Sequence, residues 1–102
     1  MSLLTDVKQD LRISATTVAF DVEINDLIDY AQDDLVLSGV LTSKLSAFKL
    51  DPDSDKIIKR AVKTYVKANF GWDNPNIKDF QDSYDMQKMR MTLTQIYTVE
   101  VV

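Results

Sequence analysis

Residues 51–71 read DPDSDKIIKRAVKTYVKANFG, and this stretch decides the fold. Asp51 and Pro52 are typical of a helix start, with an N-cap followed by proline at the first helical position, and Gly71 follows the last turn. The apolar residues between them cover about half of the helical wheel; they are Ile57, Ile58, Ala61, Val62, Tyr65, Val66 and Ala68. An apolar arc this wide predicts a central helix that is covered by more than one neighbour.

Three further helices are predicted around the central one, over residues 5–13, 21–38 and 74–93. Thr5 suits the N-cap of the first helix, and Gly39 suits the position after the last turn of the second. The second helix has one narrow apolar arc, made of Ile24, Leu27, Ile28, Ala31 and Leu35. We therefore expect an all-α fold, a small bundle of about four helices forming a single domain over all 102 residues.

Two stretches are less regular. Residues 40–50 (VLTSKLSAFKL) carry Leu41, Leu45 and Phe48 at helical spacing, which fits either a short helical turn or a flexible loop; we take the segment as a flexible loop. Residues 94–102 (TQIYTVEVV) are rich in β-branched side chains and form the C-terminal tail. That composition predicts a strand or an extended arm.

Several kinds of chemistry lack the residues that they need. The chain has no cysteine, which excludes disulfides, thiol catalysis and cysteine-ligated metals, and no histidine, the commonest general base and zinc ligand. The glycine-rich phosphate-binding motifs GxxxxGK[ST] and GxGxxG are both absent from the sequence. No stretch approaches the roughly 20 apolar residues that span a bilayer. The N-terminus turns polar too soon for a signal peptide. We expect a cytosolic protein that is not an enzyme, has no cofactor or metal and contacts no membrane.

The DPDSD run resembles the start of a calcium-binding loop. Asp51, Asp53 and Asp55 stand at the first three ligand spacings. The loop then needs a glycine and, at its twelfth position, a glutamate, but Lys56 and Val62 occupy those places. Helix capping by these aspartates is the preferred interpretation.

Charged side chains form two stripes of opposite sign. Asp26, Asp29 and Asp33 lie on the outer arc of the second helix. The exposed side of the central helix carries a basic stripe, made of Lys56, Lys59, Arg60, Lys63 and Lys67. The basic stripe has three interpretations, namely a solvated face, a contact with the acidic stripe of another copy, or a contact with nucleic acid.

The last helix carries two apolar stripes on nearly opposite sides. The first is made of Ile77, Phe80, Tyr84 and Met91. The second is made of Met86, Met89 and Leu93, and methionine recurs at protein-binding surfaces. Either the second stripe is a surface for self-association, or the helix bends or ends early, or the tail folds back over the stripe.

The pattern resembles a known family. TDVKQDLRIS at residues 5–14 and the apolar spacing of the second helix resemble the opening of small phage head–tail connector proteins, also called head-completion or neck adaptor proteins. Residues 57–93, IIKRAVKTYVKANFGWDNPNIKDFQDSYDMQKMRMTL, are more similar still, with Phe80 and Tyr84 as the Phe-x-x-x-Tyr core pair of the family. The resemblance covers about residues 4–93.

The resemblance implies a structural role without catalytic residues. Family members form a ring, usually twelve-fold, below the portal of a tailed double-stranded DNA phage or prophage, where they extend the DNA channel and join head to tail. The implied partners are further copies of the chain, the portal protein and the next neck or tail-completion protein, with at most transient contact with DNA in the channel. The implied location is the virion neck, after assembly in the cytoplasm of the host bacterium.

The subunit interface is predicted from the helical wheels rather than from the family. It comprises the acidic stripe, three lysines of the basic stripe and the methionine stripe, that is, Asp26, Asp29, Asp33, Lys59, Lys63, Lys67, Met86, Met89 and Leu93. A small helical regulatory module that binds DNA or a protein partner is the alternative function.

Overall fold

A computed structural model describes residues 3–14, 16–70 and 76–98, and this part of the chain is all-α, as predicted. It contains five helices of eight or more residues, one 3₁₀ turn and a final helix of four residues. Their bounds are α1 Leu3–Asp10, α2 Asp21–Leu37, α3 Thr42–Leu50, the 3₁₀ turn Pro52–Ser54, α4 Lys56–Asn69, α5 Ile77–Thr92 and α6 Gln95–Thr98. The described residues thus hold one more substantial helix than the four predicted. None of these helices combines the length and apolar character that crossing a bilayer needs.

Helix α4 is the centre of the fold, which confirms the prediction from its wide apolar arc. It packs against α1, α2, α3 and α5. Its inner residues are fully buried, and they are Ile58, Ala61, Val62 and Val66. Ile57 is the exception, since it is 56% exposed and the prediction that it joins the core is wrong.

The start of α4 lies four residues later than predicted. The carboxylate of Asp55 accepts hydrogen bonds from the backbone N–H groups of Ile57 and Ile58, both at 3.1 Å, so Asp55 is the N-cap. Asp51 instead caps the 3₁₀ turn, where it accepts the N–H of Asp53 at 3.2 Å. Two aspartates four residues apart both fit a cap, and the 3₁₀ turn separates them.

The predicted bounds of α2 are confirmed at both ends. It begins at Asp21, and Gly39 follows its last turn with a φ of +113°, a conformation that glycine adopts without strain. The N–H of Val40 reaches back to the carbonyl of Leu35, and that of Gly39 to Val36, both at 3.0 Å. This pair of bonds is the Schellman motif, which satisfies carbonyls at a helix end.

Helix α1 begins before its predicted cap. Thr5 lies within the helix, so the prediction that it is the N-cap is wrong, because the half-buried Leu3 and Leu4 pack against the core and extend the helix. The chain reverses just after α1 at Arg12, whose φ is +60°, and the N–H of Ile13 bonds to the carbonyl of Lys8 at 2.9 Å.

Residues 42–50 form helix α3, so the prediction of a flexible loop over residues 40–50 is wrong. Of the two alternatives the helical one applies, because Leu45 and Phe48 are both buried in the core on one side of the helix.

The tail begins as helix α6 rather than as a strand or extended arm. The ring of Tyr97 is buried, its hydroxyl donates to Asp55 Oδ1 at 3.1 Å, and its carbonyl accepts the N–H of Leu41 at 2.7 Å. These contacts hold α6 against the starts of α3 and α4. The rest of the predicted tail, residues 99–102, lies outside the described residues, as do Gly71 and the predicted helix start at Asn74 and Pro75.

Candidate assembly surfaces

The second apolar stripe of α5 is exposed. Met86, Met89 and Leu93 have exposed fractions of 51%, 55% and 78%. Tyr84 and Met91, from the first stripe, are buried on the opposite side of the same helix. Among the described residues the helix therefore has a core-facing side and an uncovered apolar side.

The outer side of α2 is both acidic and apolar. Asp26, Asp29 and Asp33 are exposed there, as predicted from the wheel. Tyr30 and Leu37 lie among them with exposed fractions of 55% and 86%. The pattern of charged residues alone did not reveal these two apolar side chains. Tyr30 directly follows Asp29, and Leu37 lies four residues after Asp33. Both therefore fall on the acidic side of the helical wheel, and this spacing is the sequence feature from which their exposure could have been predicted.

The three lysines of the predicted interface contact carboxylates of their own chain. Lys59 Nζ lies 2.6 Å from Asp6 Oδ2 and 2.7 Å from Asp53 Oδ1. Lys63 and Lys67 share one acceptor, Asp10 Oδ2, at 3.2 Å and 3.4 Å. Asp6 lies 53 residues from Lys59 in the sequence, and Asp53 lies six residues before it but outside α4, so the helical wheel of α4 could not reveal either partner.

The pair of Lys59 and Asp53 changes the acidity of both groups. Hydrogen bonds from Lys59 to Asp53 and Asp6 raise the pKa of the lysine above its ordinary value. The same ammonium lowers the pKa of the Asp53 carboxyl. Lys59 therefore serves as an ionic link between α1, the 3₁₀ turn and α4.

Three other cations line a groove between α4 and α5. Lys56 and Arg60 project from α4 and Arg90 from α5, and all three are exposed. The groove has a volume of about 470 Å³, and its apolar lining is Ile57, Met91 and Tyr97. Arg90 also touches the methionine stripe, with Nη2 3.6 Å from Met86 Sδ.

The cations of the groove differ from the predicted lysines in their pairing. Within the described ranges, no carboxylate lies within ion-pair distance of Lys56, Arg60 or Arg90. Lys56 and Arg60 belong to the basic stripe but not to the predicted interface, and Arg90 lies on another helix, where the wheel of α4 could not reveal it.

The aspartates of the DPDSD run serve the backbone and Lys59. Asp51 and Asp55 cap the 3₁₀ turn and α4, and Asp53 pairs with Lys59, so the preferred interpretation of capping is confirmed for two of the three. In the part of the chain that the structure describes, no three acidic side chains converge as a metal site would require.

A partly buried polar cluster joins α2 to α5. The Tyr84 hydroxyl donates to Asp34 Oδ2 at 2.6 Å, and Lys88 Nζ lies 3.0 Å from the same oxygen. The ring of Tyr84 meets that of Tyr65 edge-on, with centroids 5.1 Å apart. Burial and the hydrogen bond to Asp34 raise the pKa of Tyr84 above its ordinary range.

The buried tyrosines predict a loss of stability at alkaline pH. Burial and the neighbouring Asp55 raise the pKa of Tyr97 to about 12, from an ordinary value near 10. The unfolded chain thus releases the tyrosine proton at a lower pH than the folded chain. The resulting stabilisation is fully present below pH 10 and decreases as the pH rises toward 12, by at most about 1.4 kcal/mol per pH unit for each tyrosine.

Urea unfolding at pH 8, 10 and 11 measures this effect. The free energy of unfolding is expected to fall less steeply above pH 10 in Tyr97→Phe than in the unmodified chain. Tyr30→Phe, at an exposed position of α2, is the matched control and should keep the original slope. Equal slopes for the Tyr97→Phe variant and its control would contradict the assignment.

An all-α bundle with uncovered apolar faces on two helices has the features of a protein that associates with others. The chain matches the model of a family described as phage connector protein over residues 3–98, which include every described helix. It belongs to this phage connector family, which confirms the resemblance seen in the sequence. The family is structural, and membership implies a component of the virion. No curated protein and no solved structure matches the chain.

Proposed function

We propose that the protein is the head–tail connector subunit of a tailed double-stranded DNA phage or prophage. Copies assemble into a ring below the portal, extend the DNA channel and provide the surface on which the next neck protein or tail-completion protein binds. The observation that carries this proposal is the family match over residues 3–98. The site of action is the virion neck, after assembly in the cytoplasm of the host.

The uncovered helix faces suit a ring. A closed ring of identical subunits needs two different and complementary patches on each copy. The methionine stripe of α5 and the mixed acidic and apolar side of α2 are two such patches on different helices. Methionine adapts its shape to different partners, so the stripe on α5 also suits a contact with the portal or the next neck protein.

Light scattering across a range of concentrations, with and without the portal protein of the same genome, tests the proposal. Assemblies larger than one chain are expected at high concentration or with portal present. A single chain under every condition would overturn the proposed function.

The methionine stripe supplies a more specific prediction. Met86→Asp combined with Met89→Asp should weaken association with copies or portal by about 10-fold or more, because each apolar side chain lost from a contact costs on the order of 1 kcal/mol or more. Lys78→Asp is the matched control, since it causes the same change in net charge on an exposed position of α5. Equal association of the double variant and its control would show that the stripe is not a contact.

The alternative, a helical module that binds DNA, needs a free positive face. Lys59, Lys63 and Lys67 already pair with Asp6, Asp10 and Asp53, which reduces the charge available to DNA and leaves Lys56 and Arg60 as the cations of the basic stripe available to phosphates. Salt-dependent DNA binding that is lost in Lys56→Glu with Arg60→Glu would support this alternative instead.

A further inference from the structure

We propose that the groove between α4 and α5 is the site in which each copy receives the outer side of α2 from a neighbouring copy. In this contact Lys56, Arg60 and Arg90 face the aspartates of α2, and the apolar residues of both sides meet. The inference rests on the proposed function, because it assigns the two halves of the subunit interface.

The groove is surrounded by positive charge. The lysines that flank α1 contact carboxylates of their own chain, whereas Lys56, Arg60 and Arg90 extend into solvent around one groove. Two of the three are arginines, whose planar guanidinium groups bind carboxylates with two parallel hydrogen bonds. The groove therefore suits an acidic partner.

The lining of the groove adds a requirement for apolar groups. Ile57 is more than half exposed there although it belongs to the central helix, whereas Met91 and Tyr97, which also line the wall, are largely buried. An acidic segment without apolar side chains would leave this surface in contact with water. A partner that carries both kinds of residue buries the apolar area and satisfies the charges.

The outer side of α2 has this composition. Asp29 and Asp33 are one helical turn apart, which places them about 6 Å from each other along the axis. Lys56 and Arg60 have the same spacing on α4, so two charge pairs form in register. Tyr30 and Leu37 then supply exposed apolar side chains beside the aspartates.

The two surfaces cannot meet within one molecule. The inner sides of α2 and α4 pack against each other, so the acidic side of α2 and the cations of α4 point away from each other. A contact between them joins different copies head to tail, which is the heterologous arrangement that closes into rings.

Charge exchange between the two surfaces tests the proposal. The groove variant combines Lys56→Glu with Arg60→Glu, the two cations that the register pairs with the aspartates, and the helix variant combines Asp29→Lys with Asp33→Lys. Each variant alone brings like charges together and should associate with itself at least 10-fold more weakly than the unmodified chain. An equal mixture of the two variants pairs opposite charges at every contact and should restore association to within about threefold.

Lys44→Glu with Lys78→Glu is the matched control, since it changes the net charge as much as the groove variant but lies outside the groove. The control should associate like the unmodified chain, and thermal melting followed by circular dichroism verifies that all variants fold. Restored association in the mixture supports the contact even if one variant is less stable, because recovery requires both surfaces.

The failure of this inference is distinguishable from failure of the proposed function. If the unmodified chain assembles and the groove variant assembles equally well, the groove is not the subunit contact, although the connector function stands. If the variants associate weakly and their mixture does not restore association, the inference is also overturned. If the groove variant loses only portal binding, the groove is the contact with the portal and the inference is overturned as well. A chain that never assembles overturns the proposed function and the groove contact with it.

Discussion

Replacing Phe48 with alanine is expected to lower the free energy of unfolding by about 3–5 kcal/mol. Phe48 is among the largest fully buried side chains of the protein, and it lies in the core together with Leu45 and Ile58. Its removal costs the transfer free energy of the ring and leaves a cavity that the surrounding helices fill only in part. In a domain of this size the loss corresponds to a fall in melting temperature of roughly 15 °C or more.

Leu50→Ala is the matched control for this measurement. Leu50 belongs to the same helix but is 89% exposed, so its replacement should change the free energy of unfolding by no more than about 0.5 kcal/mol. Urea unfolding followed by circular dichroism compares the two variants. A small effect of Phe48→Ala would mean that residues 42–50 do not dock into the core and behave as the loop that their sequence also allowed.

Lys59→Met is expected to destabilise the fold by about 2–3 kcal/mol, because it leaves a shielded carboxylate without its cation. The side chain of Asp6 is 11% exposed, and Lys59 Nζ is 2.6 Å from its Oδ2. Methionine keeps most of the length of the lysine side chain, so the change removes charge more than volume. Because Asp6 belongs to α1, the expected consequence is weaker attachment of α1 to α4.

Two further variants separate this effect from others. Lys56→Met removes a charge from an exposed position of the same helix and should alter stability by no more than about 0.5 kcal/mol. Asp6→Leu with Lys59→Met removes both charges and should recover most of the loss, because the unpaired buried charge is then gone. If Lys59→Met unfolds at the same urea concentration as Lys56→Met, the ionic link contributes nothing measurable.

The same variants bear on how the basic stripe is divided. The structure separates it into lysines that hold α1 and the 3₁₀ turn and cations that line the groove beside α5. Lys59→Met is therefore expected to change stability and leave association unaltered. Lys56→Glu with Arg60→Glu is expected to do the reverse.

The sequence predicted most where a helix carries one clear periodic pattern. The apolar arc of α2, its end at Gly39 and the central place of α4 follow from local spacing, because a helix presents residues three and four apart on the same side. The stripe of Met86, Met89 and Leu93 follows for the same reason, whereas its exposure was left open by the sequence and is shown by the structure. The family resemblance rests on these patterns, and the match over residues 3–98 confirms it.

The sequence predicted less where two local backbone conformations have similar free energy. Asp51 and Asp55 both suit a helix cap, and the 3₁₀ turn between them decided the start of α4. The tail looked extended because its residues favour strands, but its first part becomes α6 when Tyr97 packs beside Asp55. Burial of one aromatic ring outweighs a propensity difference of a few tenths of a kcal/mol per residue.

By itself, the sequence determined that this chain is helical, which helix lies at the centre, and that α5 carries a second apolar side opposite its first. Only the tertiary structure decided which charges remain available for partners, since Lys59 meets Asp6 across 53 residues of chain while Arg60 meets no carboxylate in the described part. The reason is physical: periodicity reports which side of a helix a residue occupies, whereas ion pairing depends on which helices the fold brings within about 4 Å of each other.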